Sequence, residues 1–214
     1  MYEYVLFDLD GTLTDPGLGI TNSVIYALKK FDIAVTDRKE LYKFIGPPLL
    51  NSFREYYGFS EKESVLAVEY FREYFSEKGI YENKVYEDIR KVLSELKEKN
   101  KKVIVATSKP EKFAVTILKH FQLDQYFDFV AGAKMDESRT DKADVIRYAL
   151  DHFKEAEKSQ TVMVGDREHD IIGANKNHMD SIGVLFGYGS QEELQAAGAT
   201  HLAAAPLEIL NYVL

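Results

Sequence analysis

The chain has 214 residues, 45% of them hydrophobic, no cysteine, and a formal net charge of -8 at pH 7. Without cysteine there are no disulfides, thiolate metal sites or thiol nucleophiles, so chemistry falls to carboxylate, histidine, hydroxyl and lysine side chains. The acidic balance with no basic cluster argues against a nucleic-acid or anionic-membrane surface; the lack of a long apolar run or a basic-then-apolar start leaves a cytoplasmic location as the expectation.

Tyr4-Val5-Leu6-Phe7 is a continuous apolar run, the pattern of a strand covered on both faces of a parallel sheet. It ends in Asp8-Leu9-Asp10-Gly11-Thr12, where two carboxylates meet a glycine turn. At roughly 4 Å and an effective dielectric near 20, two such charges repel by about 4 kcal/mol, which calls for a proton on one or a cation between them.

From Pro16 to Gly79 the text reads as helices. Ile20, Val24, Ala27, Leu28 and Phe31 recur at helical spacing, as do Leu41, Phe44 and Ile45. After Gly46-Pro47-Pro48, Leu49 to Tyr57 is a helix stopped by Gly58, and Ser60-Glu61-Lys62-Glu63 is a capping box that opens another helix, stopped at Lys78-Gly79. The aromatic stripe of that helix, Tyr70, Phe71, Tyr74 and Phe75, reads as core packing. Residues 16–79 are therefore expected as an all-helical insertion into a core made of residues 1–15 and 80–214.

Beyond Tyr81 helix and strand alternate, which predicts βαβ crossovers and a parallel sheet. Val85, Ile89, Val92, Leu93 and Leu96 mark a helix, and Val103 to Ala106 a buried strand that ends in Thr107-Ser108-Lys109-Pro110. Pro110 suits the first turn of the next helix, with Phe113, Ile117, Leu118 and Phe121 on its apolar face. Phe127 to Val130 reads as a strand, Thr140-Asp141-Lys142 as a helix start, and Thr161 to Val164 as a strand running into Gly165-Asp166-Arg167-Glu168-His169-Asp170. A last strand, Ile182 to Phe186, leads to Gly187-Tyr188-Gly189, a short helix and an amphipathic tail. The fold class is α/β: a Rossmann-like parallel sheet with an inserted helical domain.

A parallel sheet gathers the carboxyl ends of its strands on one edge, and ligands of open α/β sheets collect there. Asp8, Asp10 and Asp166 are hard oxygen donors of the kind that hold Mg²⁺. The Thr107 hydroxyl, the Ser108 amide and the Lys142 ammonium suit a phosphoryl group. Asp8 can then attack phosphorus while Asp10 protonates the leaving oxygen and afterwards activates water. The implied partner is a small phosphorylated metabolite.

In this order the residues resemble the marker motifs of the haloacid dehalogenase-like (HAD) superfamily of phosphatases over nearly the whole chain. Asp8 to Thr12 match Asp-x-Asp-Gly-Thr, Thr107 the hydroxyl after a hydrophobic strand, Lys142 the lysine at a helix start, and Gly165 to Asp170 the pattern Gly-Asp-x-x-x-Asp. The resemblance implies Asp8 as nucleophile and magnesium ligand, Asp10 as acid and base that also offers its main-chain carbonyl to the metal, and Asp166 as a direct ligand. Asp170 is implied to act one step removed from the ion or through water. The helical insertion looks like a C1-type cap and the element order like the phosphoglycolate phosphatase-like subgroup, although Thr-Ser-Lys-Pro stands where many of those enzymes have Thr-Asn-Lys.

The expected activity is Mg²⁺-dependent hydrolysis of small phosphate monoesters, phosphoglycolate phosphatase-like or 5'-nucleotidase-like. A phosphomutase of sugar phosphates would keep the same residues, and a pyrophosphatase stays open. A dehalogenase needs only the first aspartate and no metal, and a non-catalytic phosphate-binding protein needs neither Asp8 nor Asp10.

Overall fold

The computed structural model describes residues 1–136 and 138–214. In chain order it contains β1 (Tyr4–Phe7), β2 (Thr14–Asp15), α1 (Gly17–Lys29), α2 (Leu49–Tyr57), α3 (Glu61–Tyr74), β3 (Lys84–Val85), α4 (Ile89–Glu98) and β4 (Lys102–Pro110). There follow α5 (Glu111–His120), β5 (Phe129–Ala133), α6 (Lys142–His152), β6 (Thr161–Gly165), α7 (Glu168–Lys176), β7 (Asp180–Val184), α8 (Gln191–Ala196), β8 (His201–Ala203) and α9 (Ile209–Val213). These fall into two compact units, residues 1–14 with 85–214, and residues 15–84.

The first unit is built on a six-stranded sheet in the order β5-β4-β1-β6-β7-β8, every neighbouring pair parallel. The α/β class read from the alternating pattern is therefore the observed one. β1 lies inside the sheet, and Val5, Leu6 and Phe7 are wholly buried, as its unbroken apolar text requires. Leu6, Ile104, Ala131 and Met163 of the sheet pack in one cluster with Val145, Ile146 and Ala149 of α6 and Ala174 of α7.

Register then decides where the polar residues emerge. Phe7 stands opposite Val105 on β4 and Val164 on β6, so β1 and β6 end nearly level while β4 runs on past them to Pro110. β4 and β5 extend the sheet on one side of β1, while β6, β7 and β8 extend it on the other. The strand order thus reverses beside β1, and such a switch point opens a crevice at the carboxyl edge.

The second unit is helical and carries its own core. Phe44 packs on Phe53 with ring centres 5.1 Å apart, and Phe31 on Phe59 at 4.7 Å. Gly58, at φ 66°, ends α2, and the Ser60 and Glu63 capping box opens α3.

Several boundaries differ from the sequence reading. Residues 80–84 belong with the helices because the Gly19 N–H donates to the Glu82 carbonyl at 3.0 Å, and the two crossings between units pair as the short sheet β2-β3. Val85 accordingly sits in β3, and the helix assigned to it begins at Ile89. Leu41 lies in a 3-10 helix, Arg38–Phe44, in place of a regular helix. β5 begins two residues later than expected, and β7 ends before Leu185. Among the described residues no helix is long and apolar enough to cross a membrane.

Candidate active site

Asp8 is the first residue past β1, and its N–H continues the ladder by donating to the Val164 carbonyl at 2.9 Å. Asp166 is the first residue past β6 and is fully buried. The turn after β1 can close on it because residue 11 is glycine: at φ +86° a Cβ there would stand 2.2 Å from Asp166 Oδ2. Thr12 Oγ1 donates to Asp166 Oδ1 at 3.2 Å and the Tyr188 N–H to Oδ2 at 2.8 Å, so both oxygens are held. Asp170, in the first turn of α7, accepts the Arg167 N–H at 3.1 Å and packs against Gly165, where a Cβ would fall 2.2 Å from its Cγ.

Lys142 opens α6, whose N-cap Asp141 accepts the Ala143 N–H at 2.8 Å. A buried cation at the positive end of a helix is unfavourable by itself. Here its Nζ lies 2.9 Å from Asp8 Oδ1 and 2.7 Å from Asp170 Oδ1, and it also donates to the Ala106 carbonyl at 3.1 Å. Burial works against its charge, but Asp170 and Asp8 outweigh that and hold the ammonium above its ordinary value.

Oxygens of Asp8, Asp166 and Asp170 lie within 4.8 Å of one another, all on buried residues. Burial, followed by the charges of Asp170 and Asp8, pushes the Asp166 carboxyl well above its usual range. Asp170 is pushed up by burial as well, against the pull of Lys142. With all three acids ionised, the single ammonium leaves two negative charges unbalanced in a water-poor crevice. Three hard oxygen donors with that excess fit a divalent cation such as Mg²⁺.

Asp10, two residues on, is arranged differently. Its Oδ2 is paired with Lys109 Nζ, while Oδ1 is buried and has no hydrogen-bond partner among the described residues. Burial pushes this carboxyl up, against the charge of Lys109. Its carboxylate therefore stands outside the acid group, and the third side chain of that group is Asp170. Thr107 is buried, with Oγ1 accepting the Lys109 N–H at 3.2 Å, and Ser108 Oγ donates to the Thr140 carbonyl at 3.0 Å.

The structure thus brings Asp8, Asp166, Asp170 and Lys142 into one cluster, and the hydrogen bond from Lys142 to the Ala106 carbonyl ties it to β4 one residue before Thr107. Lys109 was not singled out from sequence. Its signal lay in the text, since it directly follows the Thr107-Ser108 pair at the end of a buried strand.

The sequence model of a family described as haloacid dehalogenase-like hydrolase matches residues 5–184, which span β1 through β7. The chain belongs to that family of hydrolases. It is 45% identical to the 5'-nucleotidase of Pseudomonas aeruginosa over 203 residues, which cover 95% of this chain and 91% of that protein. It is 36% identical to the tyrosine-protein kinase PtkA of Mycobacterium tuberculosis over 199 residues, 92% of this chain and 67% of that one. The crystal structure of a predicted phosphatase from Clostridium acetobutylicum matches at a TM-score of 0.97 and 50% identity, covering 100% of this chain and 98% of that one.

Proposed function

We propose that this haloacid dehalogenase-like phosphatase hydrolyses small phosphate monoesters in a Mg²⁺-dependent reaction through an aspartyl-phosphate on Asp8. The observation that carries the reading is the buried Asp8–Lys142–Asp170 chain beside Asp166, three carboxyls close to one ammonium, with the uncommitted oxygen of Asp10 on the same turn.

Asp8, Asp166 and Asp170 would hold the ion, together with the main-chain carbonyl of Asp10. When bound, Mg²⁺ supplies the positive charge that offsets the acids and the phosphoryl oxygens. Lys142 adds a second cation there and fixes Asp8 by one carboxylate oxygen. Asp8 attacks phosphorus in line as the bond to the leaving oxygen breaks, and Asp10 gives that oxygen a proton. Asp10 then takes a proton from the water that attacks the aspartyl-phosphate, which returns Asp8 as a free carboxylate. The Thr107 hydroxyl and the Ser108 amide bind the phosphoryl oxygens.

The helical unit takes the role of a C1-type cap that sets substrate choice. The 45% likeness to a 5'-nucleotidase over nearly the full length supports nucleoside 5'-monophosphates as the first substrates to try, in keeping with the expected cytoplasmic location. The likeness to a kinase supports, as a second reading, delivery of the phosphoryl group to an acceptor hydroxyl other than water.

Phosphate release from p-nitrophenyl phosphate with Mg²⁺ tests the main reading, followed by a panel of nucleotides, sugar phosphates, pyrophosphate and phosphoglycolate. Release should stop with EDTA and in Asp8→Asn. Equal release by the Asp8→Asn protein would sink the aspartyl-phosphate, and a phosphorylated acceptor in place of free phosphate would favour the transferase reading.

A further inference from the structure

We infer that Lys109 is a positioning residue for the acid–base step: by gripping Oδ2 of Asp10 it makes Oδ1 the oxygen that gives a proton to the leaving group and later takes one from water. The inference rests on the phosphatase reading above and gives a role to the lysine of the Thr-Ser-Lys-Pro segment, to which the sequence pattern assigns none.

The geometry has three parts. First, the Lys109 and Asp10 side chains are only 7% and 10% exposed, so little solvent or salt screens their contact. Second, a carboxylate turns easily about its last torsion, and anchoring one oxygen removes that freedom. Asp10 Oδ1 is then left buried with no hydrogen-bond donor or acceptor of its own among the described residues. A polar atom kept dry and unpaired is costly, and a reacting group arriving there would relieve that cost.

Third, the backbone puts Lys109 where it can do this. Pairing of β4 with β5 loses its regular register between Thr107 and Pro110, which frees residues 108 and 109 from the strict alternation of a strand. The Lys109 N–H donates to Thr107 Oγ1, so one short segment carries both the hydroxyl assigned to the phosphoryl group and the cation that holds Asp10.

The proton cycle balances with this assignment. In the first half, the bond from Asp8 to phosphorus forms, the bond to the leaving oxygen breaks, and the proton on Asp10 Oδ1 goes to that oxygen. In the second half, the water oxygen bonds to phosphorus, the bond to Asp8 breaks, and a water proton returns to Oδ1. Oδ2 accepts from Lys109 in both states, as a carboxylate oxygen or as the carbonyl of the acid, so the clamp need not open during turnover.

The experiment compares leaving groups. Single-turnover rates of the first step are measured with Mg²⁺ for wild type, Lys109→Met and Lys109→Arg, across aryl and alkyl phosphates. p-Nitrophenolate departs without a proton, so Lys109→Met should lose roughly threefold there, against about 100-fold on an alkyl phosphate, the scale of a lost general acid. Lys109→Arg, which keeps a charged donor, should regain part of the alkyl rate. A loss by one common factor across the series, or no loss at all, would overturn the positioning role. Should Lys109→Met fail to give a folded circular dichroism spectrum, Lys109→Leu, which likewise has no donor, takes its place with the same two outcomes. Failure of wild type to release p-nitrophenol would instead refute the phosphatase reading.

Discussion

The two edges of the parallel sheet treat charge in opposite ways. At the carboxyl edge, Asp8, Asp166 and Asp170 crowd together, with one lysine paired to two of them, so that burial and like charge push the Asp166 carboxyl up. At the amino edge Lys101, Tyr2 and Asp128 each have an answering partner. Lys101, buried, donates to the Tyr2 carbonyl at 2.7 Å, and the Tyr2 hydroxyl donates to Asp180 at 2.7 Å. Burial and Asp180 push that phenol up to about 12, so it stays a donor at any physiological pH. Asp128 meets Lys97, Lys102 and the Val103 N–H. One edge spends stability on a site and the other adds to stability, so neutralising an acid of the site should raise stability where neutralising a polar group at the amino edge lowers it.

The largest effect should come from Lys142→Met. Removing the one cation from a buried acid cluster leaves unpaired charge, a change that costs about 3–5 kcal/mol in comparable buried pairs. Urea denaturation without metal should show that loss, and phosphatase activity should vanish with it. A denaturation midpoint equal to wild type would mean that the acids are not ionised together.

Asp166→Asn should move the other way. Oxygens of the three acids all lie within 4.8 Å, where two like charges at an effective dielectric near 20 cost about 3–4 kcal/mol; the raised Asp166 carboxyl sheds part of that by taking up a proton, so asparagine recovers only the remainder. The amide can still accept from the Tyr188 N–H and donate to Thr12 Oγ1, so the hydrogen bonds survive. We expect the metal-free protein to gain about 2 kcal/mol, or about 4–8 °C in Tm. The further rise that Mg²⁺ gives wild type, about 2.7 kcal/mol at a hundredfold excess over Kd, should disappear. A lowered Tm in EDTA would contradict the charge excess.

The carboxyl edge was the legible one. β1 and β6 are short apolar runs that stop just before Asp8 and Asp166, and the apolar run of β4 gives way to Thr107 inside the strand, so all three could be placed at this edge by pattern alone. Sheet register then brings level what the text keeps more than ninety residues apart. What the text could not show depends on side-chain direction: Asp170, expected one step removed from the ion, has an oxygen among those of Asp8 and Asp166, and Lys109 reaches Asp10 from a segment where the β4 pairing loses its regular register. The amino edge left no trace in the text, since Lys97 and Asp128 belong to a helix and a strand start with nothing local to link them. β2, β3 and β8, of two or three residues, are too short to show a period.

Lys101→Met tests the amino edge without touching the site. The methionine keeps the apolar stem and loses the charged donor to the Tyr2 carbonyl, a bond worth about 1–2 kcal/mol when buried. Stability should fall by that amount with kcat unchanged, and a fall in kcat would show that the two edges are coupled.

Asp128→Asn is the smallest and carries a pH signature. Burial alone would raise this carboxyl, but the hydrogen bonds from Lys97 and the Val103 N–H and the charge of Lys97 outweigh it and hold it below the usual range. A carboxyl depressed on folding stabilises the native state above its unfolded value, near 3.9, and that contribution fades as pH falls through the folded value. Wild type should therefore exceed Asp128→Asn by about 1 kcal/mol at pH 7, a modest figure because Lys97 and Lys102 are partly solvent-exposed and salt screens them. The gap should narrow as pH falls below about 4 and close once the folded carboxyl is itself protonated, when both proteins carry a neutral side chain at residue 128. Urea midpoints at pH 7 and pH 3 read it directly, because effects of other titrating groups cancel in the difference between the two proteins. A gap that stayed constant would assign Asp128 to hydrogen bonding without charge, and the amino edge would then owe its stability to geometry alone.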